Sequence, residues 1–136
     1  MLRKDAKVEL LRRVPLFERC SKRELHEIAA LADELDVPAG RTLTTEGRTG
    51  YEFVVIVDGS ASVKRKGRTI NTLRSGDFLG EIALITSTPR TATVATTSQS
   101  RVLVMTARDF RRLLRDTPSI QGKILETLAA RLPDEG

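Results

Sequence analysis

Glu81 and Arg90 are the two side chains whose types and spacing best suit joint chemistry. They lie in the stretch Gly76–Asp77–Phe78–Leu79–Gly80–Glu81–Ile82–Ala83–Leu84–Ile85–Thr86–Ser87–Thr88–Pro89–Arg90–Thr91–Ala92–Thr93. Gly76 and Gly80 permit a compressed backbone. Glu81–Leu84 is too short for a free-standing helix but fits one turn, and the exposed N–H groups of such a turn form an anion seat. Pro89 restricts the backbone just before Arg90. The Arg90 guanidinium is a rigid fork of donors suited to phosphate, and Thr91 adds a hydroxyl. In this pattern Glu81 accepts hydrogen bonds from sugar hydroxyls while Arg90 and the amides hold a phosphate. The pairing suits a nucleotide monophosphate. One arginine with amide donors matches a singly charged diester, whereas a triphosphate calls for lysines or a metal. Neither the G-x-x-x-x-G-K-[ST] loop nor a G-x-G-x-x-G opening a helix occurs.

Other chemistry is narrowly bounded. Cys20 is the only cysteine and His26 the only histidine. An intramolecular disulfide, a thiolate cluster and an imidazole-built metal site are therefore excluded within one chain. A Cys20–His26 nucleophile pair would straddle a helix start with no third group to orient it. No catalytic or metal-binding residue is assigned, no cofactor is expected, and the chain is read as a non-enzyme. No apolar run exceeds five residues, the length of Phe53–Val57, far short of the ~20 a membrane helix needs. Asp5, Lys7 and Glu9 interrupt any early apolar segment, so no signal peptide is expected and the cytoplasm is the default compartment.

Net charge is +5, from 23 basic and 18 acidic side chains in 136 residues. The excess falls in three places: Arg3, Lys4, Lys7, Arg12 and Arg13; Lys64, Arg65, Lys66 and Arg68; and Arg108, Arg111, Arg112 and Arg115. Such dispersal reads as solvated faces and subunit or domain contacts rather than one polyanion surface.

The elements that must position Glu81 and Arg90 divide the chain into a helical element (1–36), a β-core (37–106) and C-terminal helices (107–132), together one domain. Leu10, Leu11 and Val14 form an apolar cluster that Pro15 ends. Ser21 and Glu24 have capping-box spacing, and Leu25, Ile28, Ala29, Ala32 and Leu35 predict a helix continuing to Leu35. From Val37, short segments rich in Val, Ile and Thr alternate with glycines: Arg41–Thr45, Glu52–Val57, Ala61–Arg65, Thr69–Leu73, Thr91–Thr97 and Arg101–Thr106. The pattern predicts a mainly β fold, an antiparallel barrel or jelly roll of about eight strands with flanking helices. Gly59 is expected to close one hairpin and Lys66–Gly67 another. Thr106 and Asp109 repeat the capping-box spacing, with Phe110, Leu113 and Leu114 on one side of the helix they start. Thr117–Pro118 begins the last helix, whose stripe is Ile120, Ile124, Leu125, Leu128 and Leu132, with Pro133 ending it.

The cassette resembles the phosphate-binding segment of the cyclic nucleotide-binding domain family, which includes the catabolite activator protein, the regulatory subunits of cAMP-dependent protein kinase, cGMP-dependent kinase and cyclic-nucleotide-gated channels. The pattern Gly-Glu-(Ile/Leu)-Ala-Leu, a few residues, then Arg-(Ser/Thr/Ala)-Ala-(Ser/Thr) stands here as Gly80–Leu84 and Arg90–Thr93. The resemblance extends over most of the chain, including Glu46–Gly47, Asp58–Gly59 and the final helices. It implies that Glu81 takes the ribose 2′-hydroxyl and Arg90 the cyclic phosphate. Gly80 and the amides of Ile82 and Ala83 would add backbone contacts, and Thr91 would touch the phosphate or base. It also implies that the C-terminal helices close over the base and report occupancy, with Leu113, Leu114, Ile120, Ile124 and Leu128 as lid or re-packing residues. No aromatic residue follows Phe110, so the lid is aliphatic or supplied by a partner.

Thr91 after the arginine is compatible with cGMP, but the Arg- and Ala-rich composition favours cAMP. DNA binding by this chain alone is not expected, because no helix-turn-helix follows the last helix. A homodimer, or an effector domain or protein contacting the C-terminal helices, is the expected partner. The alternative is a degenerate, non-binding member acting as an interaction module, and the intact Glu81 and Arg90 argue against it.

Overall fold

The structure is a computed structural model that describes residues 2–131, with Arg131 described by its backbone alone. The expectations for Leu132 and Pro133 lie outside the described residues. The chain opens with α1 (Lys4–Arg12), a 3₁₀ turn (Pro15–Phe17) and α2 (Lys22–Ala29). Val8 and Leu11 are the buried positions of α1. The Ser21–Glu24 capping box forms as expected: Glu24 N–H donates to Ser21 Oγ (3.2 Å) and Ser21 N–H to Glu24 Oε1 (2.7 Å).

The helix does not reach Leu35. After Ala30 the amides of Leu31 and Ala32 bond back to Ile28 and Ala29 in tightened turns, and Asp33–Val37 becomes strand β1. The β-core therefore begins at Asp33 rather than Val37. Its register runs from Asp33↔Val104 to Val37↔Ser100, and Leu35 is 47% exposed. Pairing with a strand satisfies the segment's backbone groups, and it overrides an apolar spacing that suits a helix only through Ala32.

Eight antiparallel strands follow in two four-stranded sheets. They are β1, β2 (Thr42–Thr44), β3 (Glu52–Asp58), β4 (Ser60–Arg65), β5 (Arg68–Arg74), β6 (Phe78–Leu79), β7 (Thr93–Thr96) and β8 (Ser100–Thr106). One sheet has the order β1-β8-β3-β6 and the other β2-β7-β4-β5. This is the expected jelly-roll architecture. The Lys66–Gly67 turn closes the β4–β5 hairpin with both residues at positive φ (52° and 78°) and Arg65 opposite Arg68, a geometry that matches the twist of the strands. Gly59 has another role. β3 and β4 belong to different sheets, so Gly59, at φ 115°, turns the chain between sheets. A Cβ there would lie 2.1 Å from Ser100 Oγ.

The uninterrupted run Phe53–Ile56 is explained by two cores. Phe53 and Val55, with Leu103 and Met105 of β8, face a helical core built with Leu11, Phe17, Leu25, Ile28, Phe110 and Ile120. Val54, Ile56 and Val102 face the space between the sheets, with Ala61, Leu73 and Val94. Side chains alternate along a strand, so a strand covered on both faces is apolar throughout.

α3 (Ala107–Asp116) starts at Thr106, whose hydroxyl accepts from Asp109 N–H (3.2 Å). α4 (Pro118–Arg131) follows at once. Ile120 and Ile124 are buried in the helical core, whereas Leu125 is 58% exposed and does not belong to the stripe. No helix among the described residues is long and apolar enough to cross a membrane.

Candidate functional site

β6 pairs with β3 through Val54↔Leu79 and Val55↔Phe78, which carries the chain to the cassette. Gly80 sits in the left-handed region (φ 82°, ψ 17°) and starts a 3₁₀ turn over Glu81–Leu84. The turn is anchored from below: Leu84 is fully buried and belongs to the helical core with Phe110 and Ile120. Ile82 faces outward, 49% exposed. The Ala83 amide donates to Gly80 O (3.0 Å). It is thus engaged within the turn, although the sequence assigned it to an anion.

Arg90 is held by a loop that the sequence reading left out of the site. Thr49 and Pro89 form an isolated antiparallel bridge. Arg90 N–H donates to Arg48 O (2.8 Å) and Gly47 N–H to Arg90 O (2.9 Å). The guanidinium lies between two glycines. A Cβ on Gly50 would fall 1.7 Å from Arg90 Nε; one on Gly80 would fall 2.3 Å from Nη1 and 2.5 Å from Glu52 O. Gly80 therefore serves twice, by its positive φ and by the space it leaves. Gly50 serves by space alone, and nothing in its local sequence signals this.

Arg90 Nη2 donates to the carbonyl of Glu52. Nε is buried and has no hydrogen-bond partner among the described residues. Burial pulls the Arg90 guanidinium below its ordinary value, with the Glu52 carboxylate acting in the opposite direction. A half-buried guanidinium with a shielded, unused donor favours an incoming anion. Glu81 Oε2 is likewise shielded from solvent.

Phe78, Leu79, Gly80, Glu81, Ile82, Ala83, Thr88, Pro89, Arg90 and Thr91 line one cavity of about 380 Å³, within the range of small-molecule sites. All six residues assigned to binding from sequence surround it. A neighbouring recess shares Gly80, Arg90 and Thr91 and runs along the inner face of the second sheet past Thr44, Val63, Asn71 and Leu73. The five lid candidates do not line either space. Ile120 and Ile124 are buried in the helical core, and Leu113, Leu114 and Leu128 pack against it. Cys20 and His26 lie outside the cavity lining. Burial, followed by the Glu24 charge, pushes the Cys20 thiol up to about 11, with Lys123 opposing. His26 Nε2 is 3.5 Å from Asp5.

Cavity and helices are joined by packed side chains. Phe78, in the cavity wall, packs on Phe53 (centroids 6.0 Å apart), Phe53 on Phe17 (6.1 Å), and Phe17 on Phe110 of α3 (5.8 Å).

Residues 34–117 match the family described as cyclic nucleotide-binding domain. A cAMP-dependent protein kinase regulatory subunit of Mycosarcoma maydis is 36% identical over 110 residues, covering 74% of this chain and 21% of that protein. A cyclic nucleotide-gated potassium channel of Rhizobium etli is 33% identical over 123 residues, 90% of this chain and 34% of the channel. The chain thus spans between about a fifth and a third of the length of these relatives. Among solved structures, the N-terminal domain of a transcriptional regulator from Streptomyces coelicolor superposes with a TM-score of 0.83 at 27% identity, over 93% of this chain and 92% of that one.

Proposed function

Because the chain belongs to the cyclic nucleotide-binding domain family, we propose that it is a cytoplasmic, non-catalytic sensor that binds cAMP in preference to cGMP and transmits occupancy through its C-terminal helices. One observation carries the reading. A half-buried guanidinium whose buried Nε is unused and a carboxylate with one oxygen shielded from solvent line the same cavity at the family's cassette. Arg90 takes the cyclic phosphate as a charge-assisted pair. Glu81 takes the ribose 2′-hydroxyl, and Gly80 and the Ile82 amide complete the seat. The Ala83 amide joins only if its bond to Gly80 O opens. Thr91 stands where phosphate and base meet. The names of the regulatory-subunit relatives support cAMP.

The path of transmission is physical. Leu84 of the cassette turn and Ile120 and Ile124 of α4 share one core, and the aromatic series runs from the cavity wall to α3. A ligand that draws the cassette inward must re-pack that core, and it shifts the helices only by its differential affinity for the two arrangements. The test is calorimetric titration of nucleotide-free protein with cAMP and with cGMP, with Arg90→Ala as control. Saturable binding that the variant loses, tighter for cAMP, is expected. No heat with either nucleotide would overturn the reading.

A further inference from the structure

The third basic cluster of the sequence plays no part in the nucleotide site. Arg108, Arg111, Arg112 and Arg115 recur at i, i+3, i+4 and i+7 on α3, within an arc of about 100° and about 10 Å of helix axis. All four are exposed, and together they form the entire lining of a shallow groove. The opposite face of α3 is committed to the core through Ala107 and Phe110. Among the described residues, Arg108, Arg111 and Arg112 form no ion pair. Arg115 meets Asp116 at 4.0 Å, with both side chains well exposed. Four like charges at these spacings repel one another and weaken the helix that carries them. The arrangement is unfavourable by itself and is relieved by an external anion.

We infer that the arginine face of α3 is a docking surface for an acidic helical segment of another protein. The stripe is narrow, and Asp109 and Asp116 border it along one flank, at about 100° and 80° from Arg108 around the axis. A membrane surface or a nucleic-acid duplex is broad and would bring phosphates against those carboxylates. A single acidic helix laid along the stripe avoids them. Its carboxylates can pair with guanidinium forks in the two-point geometry that arginine favours. A second copy of this chain is a poor occupant. Its acidic edge strand β1 is already engaged, with Asp36 and Glu34 on Arg101 (3.0 and 3.7 Å) and Glu34 also accepting from Leu2 N–H (2.7 Å). Two copies also carry like net charge. The surface does not depend on the nucleotide reading, since none of the four arginines lines the cavity.

The test uses the whole chain and a fluorescent synthetic helix with glutamates at i, i+3, i+4 and i+7, compared with a peptide of the same composition whose glutamates are spread around the helix. The one-faced peptide is expected to bind at least about tenfold more tightly than the scattered one, and to weaken as salt rises. Replacing all four arginines by glutamine, a good helix former, should abolish the difference while leaving cAMP titration unchanged. If that variant does not fold, the pair Arg108→Gln and Arg112→Gln should reduce it. Replacing all four by lysine, which keeps charge but loses the fork, should weaken binding. Equal affinity for the two peptides would overturn the proposal. So would tighter binding of a thymidine oligonucleotide or of phosphatidylserine vesicles than of the one-faced peptide, since either would make the face a phosphate surface.

Discussion

Glu24 is withdrawn from water and Arg90 is half-buried, and the two are treated in opposite ways. Glu24, at the junction of α2 and α4, is surrounded by donors. Lys123 Nζ reaches its Oε1 (2.5 Å) and Ser21 N–H reaches the same oxygen (2.7 Å). Burial pushes the Glu24 carboxyl up, but the hydrogen bonds from Lys123, the Ser21 backbone, Ser119 and the Ser21 hydroxyl outweigh it and hold it down at about 2. Arg90, in the cassette, is shielded too, but it has a backbone carbonyl and an idle Nε. Its charge is disfavoured by burial where that of Glu24 is favoured by its partners. The first arrangement is complete and structural. The second leaves the Arg90 Nε without a partner among the described residues, which is the opening that the proposed anion would fill.

The sharpest way to break this contrast is to damage the complete region. Ile124, buried in the helical core, should cost about 2–5 kcal/mol of stability when changed to alanine, through lost burial and the cavity left behind. Denaturant unfolding checks this. A near-zero change would mean that α4 is loosely held even without ligand. Next in size is Arg90→Ala, which should weaken cAMP binding by about tenfold or more, some 1.4 kcal/mol, without lowering the unfolding midpoint. The Arg90 bond to the Glu52 carbonyl is set against the burial that disfavours its charge, so the folded state should lose little with it. A large stability loss with unchanged affinity would reverse the roles assigned to the two regions.

What could be read beforehand follows the same division. The cassette was legible because glycine, glutamate, proline and arginine each constrain the chain locally, and the structure brings all six assigned residues around one cavity. The capping box at Ser21 and the turn at Lys66–Gly67 were legible for the same reason. β1 was not, because Ala32 and Leu35 prolong a helical spacing that strand pairing with β8 overrides. β6 is two residues long, too short to show any period. Gly50 was invisible because the atom that requires it, Arg90 Nε, arrives from a distant segment. The lid residues rest on the family resemblance; their apolar spacing reveals only that a face is buried, and in the structure that face packs in or against the helical core.

Smaller effects sharpen the comparison inside the site. Glu81→Ala should cost less affinity than Arg90→Ala, because it removes a hydrogen bond to a neutral hydroxyl rather than a charged pair. Its loss should be larger for cAMP than for 2′-deoxy-cAMP, measured by competition against a fluorescent analogue. If wild type binds the ribo and deoxy forms equally, Glu81 does not read the sugar.

The smallest expected effect is a pH dependence at the complete region. Glu24 sits at about 2 against an ordinary 4.5, so the unfolded chain binds the proton more readily than the folded one. Stability from this group is fully present above pH 4.5 and drains away as pH falls toward 2. Other carboxylates titrate in the same window, so the informative quantity is a difference between proteins. Lys123→Met removes the strongest hydrogen bond holding Glu24 down and leaves those from Ser21 and Ser119. Between pH 4.5 and 2 its unfolding temperature should fall less steeply than that of wild type, while lying lower at neutral pH. Parallel curves would mean that the serines alone keep Glu24 ionised and that α4 is held by its apolar stripe. Arg90→Ala, compared over the same range, should leave the slope unchanged, because Arg90 is not among the groups that hold Glu24 ionised.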